Sequence, residues 1–358
     1  MATARVLNAW TALIGVAVGL AALKVAGAVF APVAFALFLI ALLWPLQRWF
    51  EARVPRFAAL AASIVVLVTA FIAFASLIAW GFGRVGRWII ANLGRFQAFY
   101  DRTASWLDEH GIAVAGLWAD YFNAGSLLTL MQRFTSQVNT TLSFWVVVLV
   151  YVILGLLEVD ATARKLKALP NRRIAHLLSA GSAAAAGKFR RYMAVRTLMS
   201  VLTGALVWFL ATLFGLPLAQ EWGVIAFVLN YIPFIGPIIA TLFPTLFAVV
   251  EFESWEAVVA VLACLYVVQS GVGNYLEPRL AGSALALSPF VLLFSIFLWT
   301  FLWGLSGTFI GVPIAVAVLT FCAHHPDTRW VALLFGTPDG WDGQEADRAD
   351  RPKETMRH

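Results

Sequence analysis

From Trp222 to Val250 the chain carries no charged residue, and it breaks in the middle of that run at Asn230-Tyr-Ile-Pro-Phe-Ile-Gly-Pro237. The run is long enough to cross a bilayer, for which roughly 20 residues suffice. The break falls where a spanning helix would be deepest. Pro233 cannot donate to the Leu229 carbonyl, nor Pro237 to that of Pro233, and Gly236 admits conformations closed to other residues. Freed carbonyls are costly in hydrocarbon, so the break must face protein or water. Interrupted helices at membrane depth are where transporters build ion and substrate sites, and Asn230 and Tyr231 add side-chain polarity there. The alternative is a Pro-kinked helix packed against its neighbours, with no ligand.

The rest of the chain agrees with a bilayer as its solvent. Of its 358 residues 61% are hydrophobic and 12% charged, against about 25% charged in soluble domains. Such a chain cannot cover itself with a polar surface, and an all-α polytopic integral membrane protein is expected. The net charge of +6 does not indicate nucleic acid, because the basic residues cluster where membrane topology would place them. Cys264 and Cys322 form neither a disulfide framework nor a metal motif. No phosphate-binding Gly-x-x-x-x-Gly-Lys-Ser/Thr loop occurs, and the five histidines lie in four separate places. Neither an enzyme nor a cofactor or metal is expected.

In order, Val6–Leu23 and Val25–Trp44 are apolar with Lys24 between them. A cleaved leader with Ala26-Gly-Ala28 as its site is the weaker reading, since no polar mature sequence follows. A tight helical hairpin with Lys24 snorkelling at the turn is the stronger. Phe57–Phe82 is the next span. The residues from Arg84 to Leu107 place Val85, Trp88, Ile89, Leu93, Phe96, Phe99, Tyr100, Trp106 and Leu107 at helical spacing among Arg84, Arg87, Arg95 and Arg102. That pattern reads as an amphipathic helix, lying on lipid, between subunits or on the protein's own membrane domain. Ser126–Val138 repeats it more weakly.

Thr141–Leu157 spans again. Val159–Arg196 then holds nine Lys or Arg against one acid, Asp160, which places it in the cytoplasm. Counting back puts 84–140 outside and the N-terminus inside. Thr197–Leu216 leads outward, and Ala257–Val272, Leu285–Trp303 and Ser306–Cys322 supply three more crossings to a cytoplasmic C-terminus. Trp222–Val250 must then enter and leave from outside. The expected architecture is about eight transmembrane helices plus a re-entrant, Pro-broken helical hairpin. The corresponding divisions are 1–83, 84–140, 141–158, 159–196, a transport core at 197–325, and a polar tail from 326 that is disordered from Thr337.

Between Leu218 and Pro326 only six residues are charged. Glu221, Glu251, Glu253 and Glu256 sit at expected membrane edges, where water can reach them. Glu277 and Arg279 flank Pro278, which frees the carbonyl of Asn274, so a carboxylate again meets an interrupted backbone. Pairing of Glu277 with Arg279 would lower the cost of sitting near the membrane, and Glu277 would take up a proton or a cation as the pair opens. A plain loop with a boundary ion pair is the alternative.

Asn230-Tyr-Ile-Pro-Phe-Ile-Gly-Pro237, then Asn274-Tyr-Leu-Glu-Pro278, Ser288-Pro289, and Leu302-Trp-Gly-x-x-Gly307 through Val312-Pro313 together resemble the autoinducer-2 exporter family of bacterial permeases. The resemblance implies an eight-span inner-membrane protein that forms a homo-oligomer. It also implies export of a small polar solute such as autoinducer-2, or, as in some relatives, sodium/proton antiport. The expected site joins Asn230, Tyr231, Pro233, Gly236 and Pro237 to Asn274, Glu277 and Arg279, with a small polar solute or a cation and the lipid bilayer as partners. A non-transport scaffold acting through its outer helices is the competing class.

Overall fold

A computed structural model describes residues 2–110, 124–252, 254–281 and 287–336, and among them every regular element is a helix. The helices are α1 (Ala2–Val25), α2 (Gly27–Glu51), α3 (Arg56–Ala91), α4 (Leu93–Glu109), α5 (Ala124–Lys167), α6 (Arg172–Leu213), α7 (Ala219–Leu229), α8 (Ile235–Glu251), α9 (Trp255–Ser270), α10 (Glu277–Ala281), α11 (Pro289–His324) and α12 (Arg329–Phe335). A π-helical turn, Gly271–Leu276, joins α9 to α10. The tail from Thr337 and Glu253 lie outside the described residues, as do the side chains of Phe99, Tyr100, Trp106, Leu107 and Ser126–Val138.

Six helices are long and apolar enough to cross a membrane: Gly27–Glu51, Arg56–Ala91, Ser143–Lys167, Arg172–Leu213, Trp255–Leu280 and Pro289–His324. Ile14–Val25, Ala219–Leu229 and Ile235–Glu251 are shorter and apolar. The last long helix is two arms. At Gly304 the backbone turns to φ 62°, ψ −141°, a conformation that glycine adopts without penalty. The arms fold back so that the Ser295 hydroxyl donates to the Gly311 carbonyl at 2.7 Å and the Thr300 and Thr308 hydroxyls meet at 2.8 Å. The expected spans Leu285–Trp303 and Ser306–Cys322 are thus a hairpin turning at Gly304. Among the described residues each expected apolar segment is helical over most of its length, and the chain is a polytopic all-α membrane protein.

The basic stretch 159–196 is not a loop. Helices α5 and α6 cover it except at 168–171. Likewise α3 runs through both the third span and the start of the expected amphipathic helix, pausing at Asn92 before α4.

The chain divides into two compact units. The first takes Met1–Ser63, Tyr151–Val195 and the chain from Pro278 onward. In it α1 and α2 are separated by Ala26 alone, and Lys24 lies 3.6 Å from the Phe301 ring centre as a cation–π contact. Trp303 Nε1 donates to the Leu23 carbonyl at 2.9 Å. Its buried cluster joins Phe189 and Tyr192 of α6 to Ile296, Val312 and Leu319 of α11.

The second unit takes Ile64–Val150 and Arg196–Glu277. One cluster unites Val207 and Ala211 of α6, Trp222 and Ile225 of α7, Phe247 of α8, and Val258, Val261 and Leu265 of α9. Val85, Trp88, Ile89 and Phe96 pack on it. Trp88 and Phe96 lie 5.0 and 5.9 Å from the Phe247 ring, so this part of the aromatic face covers the protein's own second unit.

Candidate functional site

Helices α7 and α8 form the hairpin that the sequence foretold, with the reversal at Asn230–Phe234. Its geometry differs from the expectation in one respect. The carbonyls of Leu229 and Pro233 are not left free, because Ile232 N donates to the first at 2.9 Å and Ile235 N to the second at 2.7 Å. The second bond closes a γ-turn centred on Phe234, at φ 62°, ψ −53°. That turn is rare and strained for a residue with a side chain. Pro237 falls in the first turn of α8, where the missing N–H would have had no helical partner anyway. Gly236 is required for a different reason than conformational freedom: a Cβ there would lie 1.9 Å from the Leu229 carbonyl oxygen. The two arms touch backbone to backbone.

Helix α6 supports the tip. The backbones of α6 and α7 also meet, since a Cβ on Gly204 or on Gly223 would come within 2.8 Å of the other's carbonyl oxygen. One to two turns further along, buried Asn230 donates from Nδ2 to Ser200 Oγ at 3.2 Å, and the Tyr231 hydroxyl donates to Thr197 Oγ1 at 3.0 Å. Phe74 packs edge-on against Tyr231, 5.5 Å between ring centres.

Glu277 is buried, and Arg196 holds it: Arg196 Nη1 donates to both carboxylate oxygens, at 2.6 and 2.7 Å. This corrects the expected Glu277–Arg279 pair. Residues two apart on a helix do not face one another, and Arg279 is exposed on α10. The correction extends to Arg196, one of the nine bases of 159–196, which is only 5% exposed. A signal was available. Arg196, Ser200 and Thr203 stand four and three residues apart at the head of an apolar run, which is one face of a helix, and all three are buried.

Asn274 lies exposed in the π turn. That turn ends just before Pro278, which lacks the N–H an α-helical ladder would need from it; the wide turn, closed by Glu277 N donating to the Val272 carbonyl, takes the place of the expected loop. Such turns recur at functional sites. Of the expected residues, Asn230, Tyr231, Pro233, Gly236, Pro237, Asn274 and Glu277 belong to the second unit, and Arg279 to the first. Helix α6 links the tip to Glu277, contacting one through Thr197 and Ser200 and the other through Arg196.

Glu221 also departs from expectation. It is 3% exposed and paired with Arg84 Nε at 2.5 Å, beside an open groove of about 400 Å³ lined by Arg84, Trp208, Thr212 and Leu218–Glu221. That groove lies at the start of α7, away from the hairpin tip. Glu251 pairs with Arg95 at 2.7 Å, and Glu256 accepts from Ser254, the cap of α9, at 2.6 Å.

A multi-pass helical protein with a broken hairpin braced by buried polar contacts has the construction of a membrane permease. Residues 13–327 match the AI-2E family transporter family, and the chain belongs to that family. It is 27% identical over 318 residues to the AI-2 transport protein TqsA of Escherichia coli (strain K12), covering 88% of this chain and 92% of that one. It is 28% identical over 324 residues to YhhT of the same organism, covering 88% and 90%. A protein of Borreliella burgdorferi is 39% identical over 129 residues, 36% of each chain. The family is one of transporters, so a small solute and a lipid environment are its setting.

Proposed function

We propose that the protein is a secondary transporter of the bacterial inner membrane that exports a small polar solute. Autoinducer-2, the solute in the name of the relative TqsA, is the first candidate. The observation that carries this reading is the Arg196–Glu277 ion pair, buried beside a strained hairpin tip. Buried intramembrane charge is expensive, and where it is kept it marks a pathway for substrate, ion or proton. Asn230, Tyr231, Pro233, Gly236 and Pro237 at the tip, with Asn274 and Glu277, are the proposed site. The divisions foreseen from the sequence, both termini cytoplasmic and a homo-oligomer belong to the same proposal.

Sodium/proton exchange is supported by Glu277 alone, and the guanidinium that holds it weighs against a bare cation there. The scaffold reading loses its support where Val85, Trp88, Ile89 and Phe96 pack inward. The test is flux through purified protein in liposomes, with sodium and proton gradients set separately. Autoinducer-2 movement above empty liposomes is expected. Sodium-driven proton flux with no solute movement would establish the antiporter instead.

A further inference from the structure

The Arg196 guanidinium spends only one of its three nitrogens on Glu277. Both carboxylate oxygens sit on Nη1, while Nε and Nη2 are buried and bond to no group among the described residues. Among the described residues of the second unit, two other buried donors share this state, Gln269 Nε2 on α9 and the Thr203 hydroxyl on α6. Their side chains are 8% and 0% exposed.

All three residues belong to the second unit. Arg196 meets Glu277 at one end, and at the other Val207 and Ala211 share a cluster with Val261 and Leu265. Helices α6 and α9 therefore run antiparallel. Stepping seven residues from Arg196 toward that cluster, about 10 Å at 1.5 Å per residue, brings Thr203 level with Gln269. Ser200, between them, is engaged with Asn230. The layer between the ion pair and the apolar cluster therefore takes donors from both helices.

We propose that this layer binds a small oxyanion, a carboxylate or a phosphate, on the free edge of Arg196, with Gln269 and Thr203 as further donors. The proposal rests on the transporter reading for its purpose and on the donor count for its chemistry. An unpaired buried donor is costly, and more so when it is charged. Nε–H and one Nη2–H point the same way, the fork that fits two oxygens of a carboxylate or phosphate. A carboxylate or hydrogen phosphate brings more acceptor sites than hydrogens and a negative charge besides, so it reduces the surplus of donors. A neutral polyol brings a donor with each acceptor and leaves the surplus in place. A metal cation would face N–H and O–H groups and find one carboxylate, already taken.

The test uses the full-length protein in detergent micelles at constant ionic strength, titrated calorimetrically with potassium L-lactate, potassium phosphate and glycerol. Saturable binding of lactate, phosphate or both is expected, with none of glycerol. Lactate alone would identify a carboxylate site, and phosphate alone a phosphate site. Arg196→Lys keeps a charge for Glu277 but removes the fork. Gln269→Leu and Thr203→Val remove donors that have no partner among the described residues, so these two should fold as well as wild type by heat-induced unfolding. Each should weaken anion binding by about tenfold or more, the scale of one hydrogen bond to a charged group. Binding of neither anion, preference for glycerol, or unchanged affinity in Gln269→Leu and Thr203→Val would overturn the proposal. Liposome flux of autoinducer-2 separates the two readings. Flux retained without anion binding removes this site and leaves transport, whereas anion binding without flux leaves the site and removes transport.

Discussion

At the scale of single residues, the chemistry is concentrated in Arg196 and Glu277, 81 positions apart in the chain. Removing one partner of a buried pair strands the other. Arg196→Ala should therefore cost about 3–5 kcal/mol, while replacing both, Arg196→Met with Glu277→Leu, should cost less than the single change. Heat-induced unfolding of the purified variants checks this, and a double variant weaker than Arg196→Ala would show that the pair itself stabilises. Glu277→Gln keeps the shape and most of the hydrogen bonding. It should insert normally and lose transport, read as flux per amount of protein in the membrane. Wild-type flux from that variant would reduce Glu277 to a structural partner of Arg196. Gly236 carries a steric constraint instead. With a Cβ 1.9 Å from the Leu229 oxygen, Gly236→Ala must part the two arms of the hairpin. Loss of flux together with a lowered unfolding temperature is expected, and an unperturbed variant would mean that the arms separate freely.

Among elements, the hairpin α7–α8 was legible because two prolines and a glycine inside an uncharged run admit few other readings. The Leu229 and Pro233 carbonyls depart from the expectation because local turn bonds recapture them, a matter of φ and ψ at Phe234 that composition does not encode. The gap between the last two spans was legible in the same way, through Gly304. The partner of Glu277 was not, since the nearest base in sequence is not the nearest in space once the segment is helical. Nor was the single helix that joins 126–138 to the following span, because polar and apolar stretches of α5 look like separate segments until the backbone is seen to continue. The inward packing of α3 and α4 makes a prediction of its own. Phe247 is 5% exposed and touches Trp88, Phe96 and Trp222, so Phe247→Ala should destabilise by about 3–5 kcal/mol. Thermal unfolding measures it, and a change well under 1 kcal/mol would show that α3 and α4 contribute little to this core.

For the molecule as a whole, the charge distribution predicts the orientation. Reporter fusions should place Ala104 outside, and Ala168 and Ala346 in the cytoplasm; an exported Ala168 fusion would invert the map. Orientation also sets an order of events during synthesis. Helix α6 is made with Arg196 at the base of its apolar run, and its counter-charge follows 81 residues later. At roughly 5–20 residues per second of translation, Arg196 waits about 4–16 s for Glu277. Through that interval, in which α7, α8 and α9 are made, the nascent chain holds the Arg196 guanidinium at the head of an apolar helical run without its partner. A ribosome stalled in this window would present quality-control proteases with an unfinished membrane protein, recognisable by one stranded positive charge.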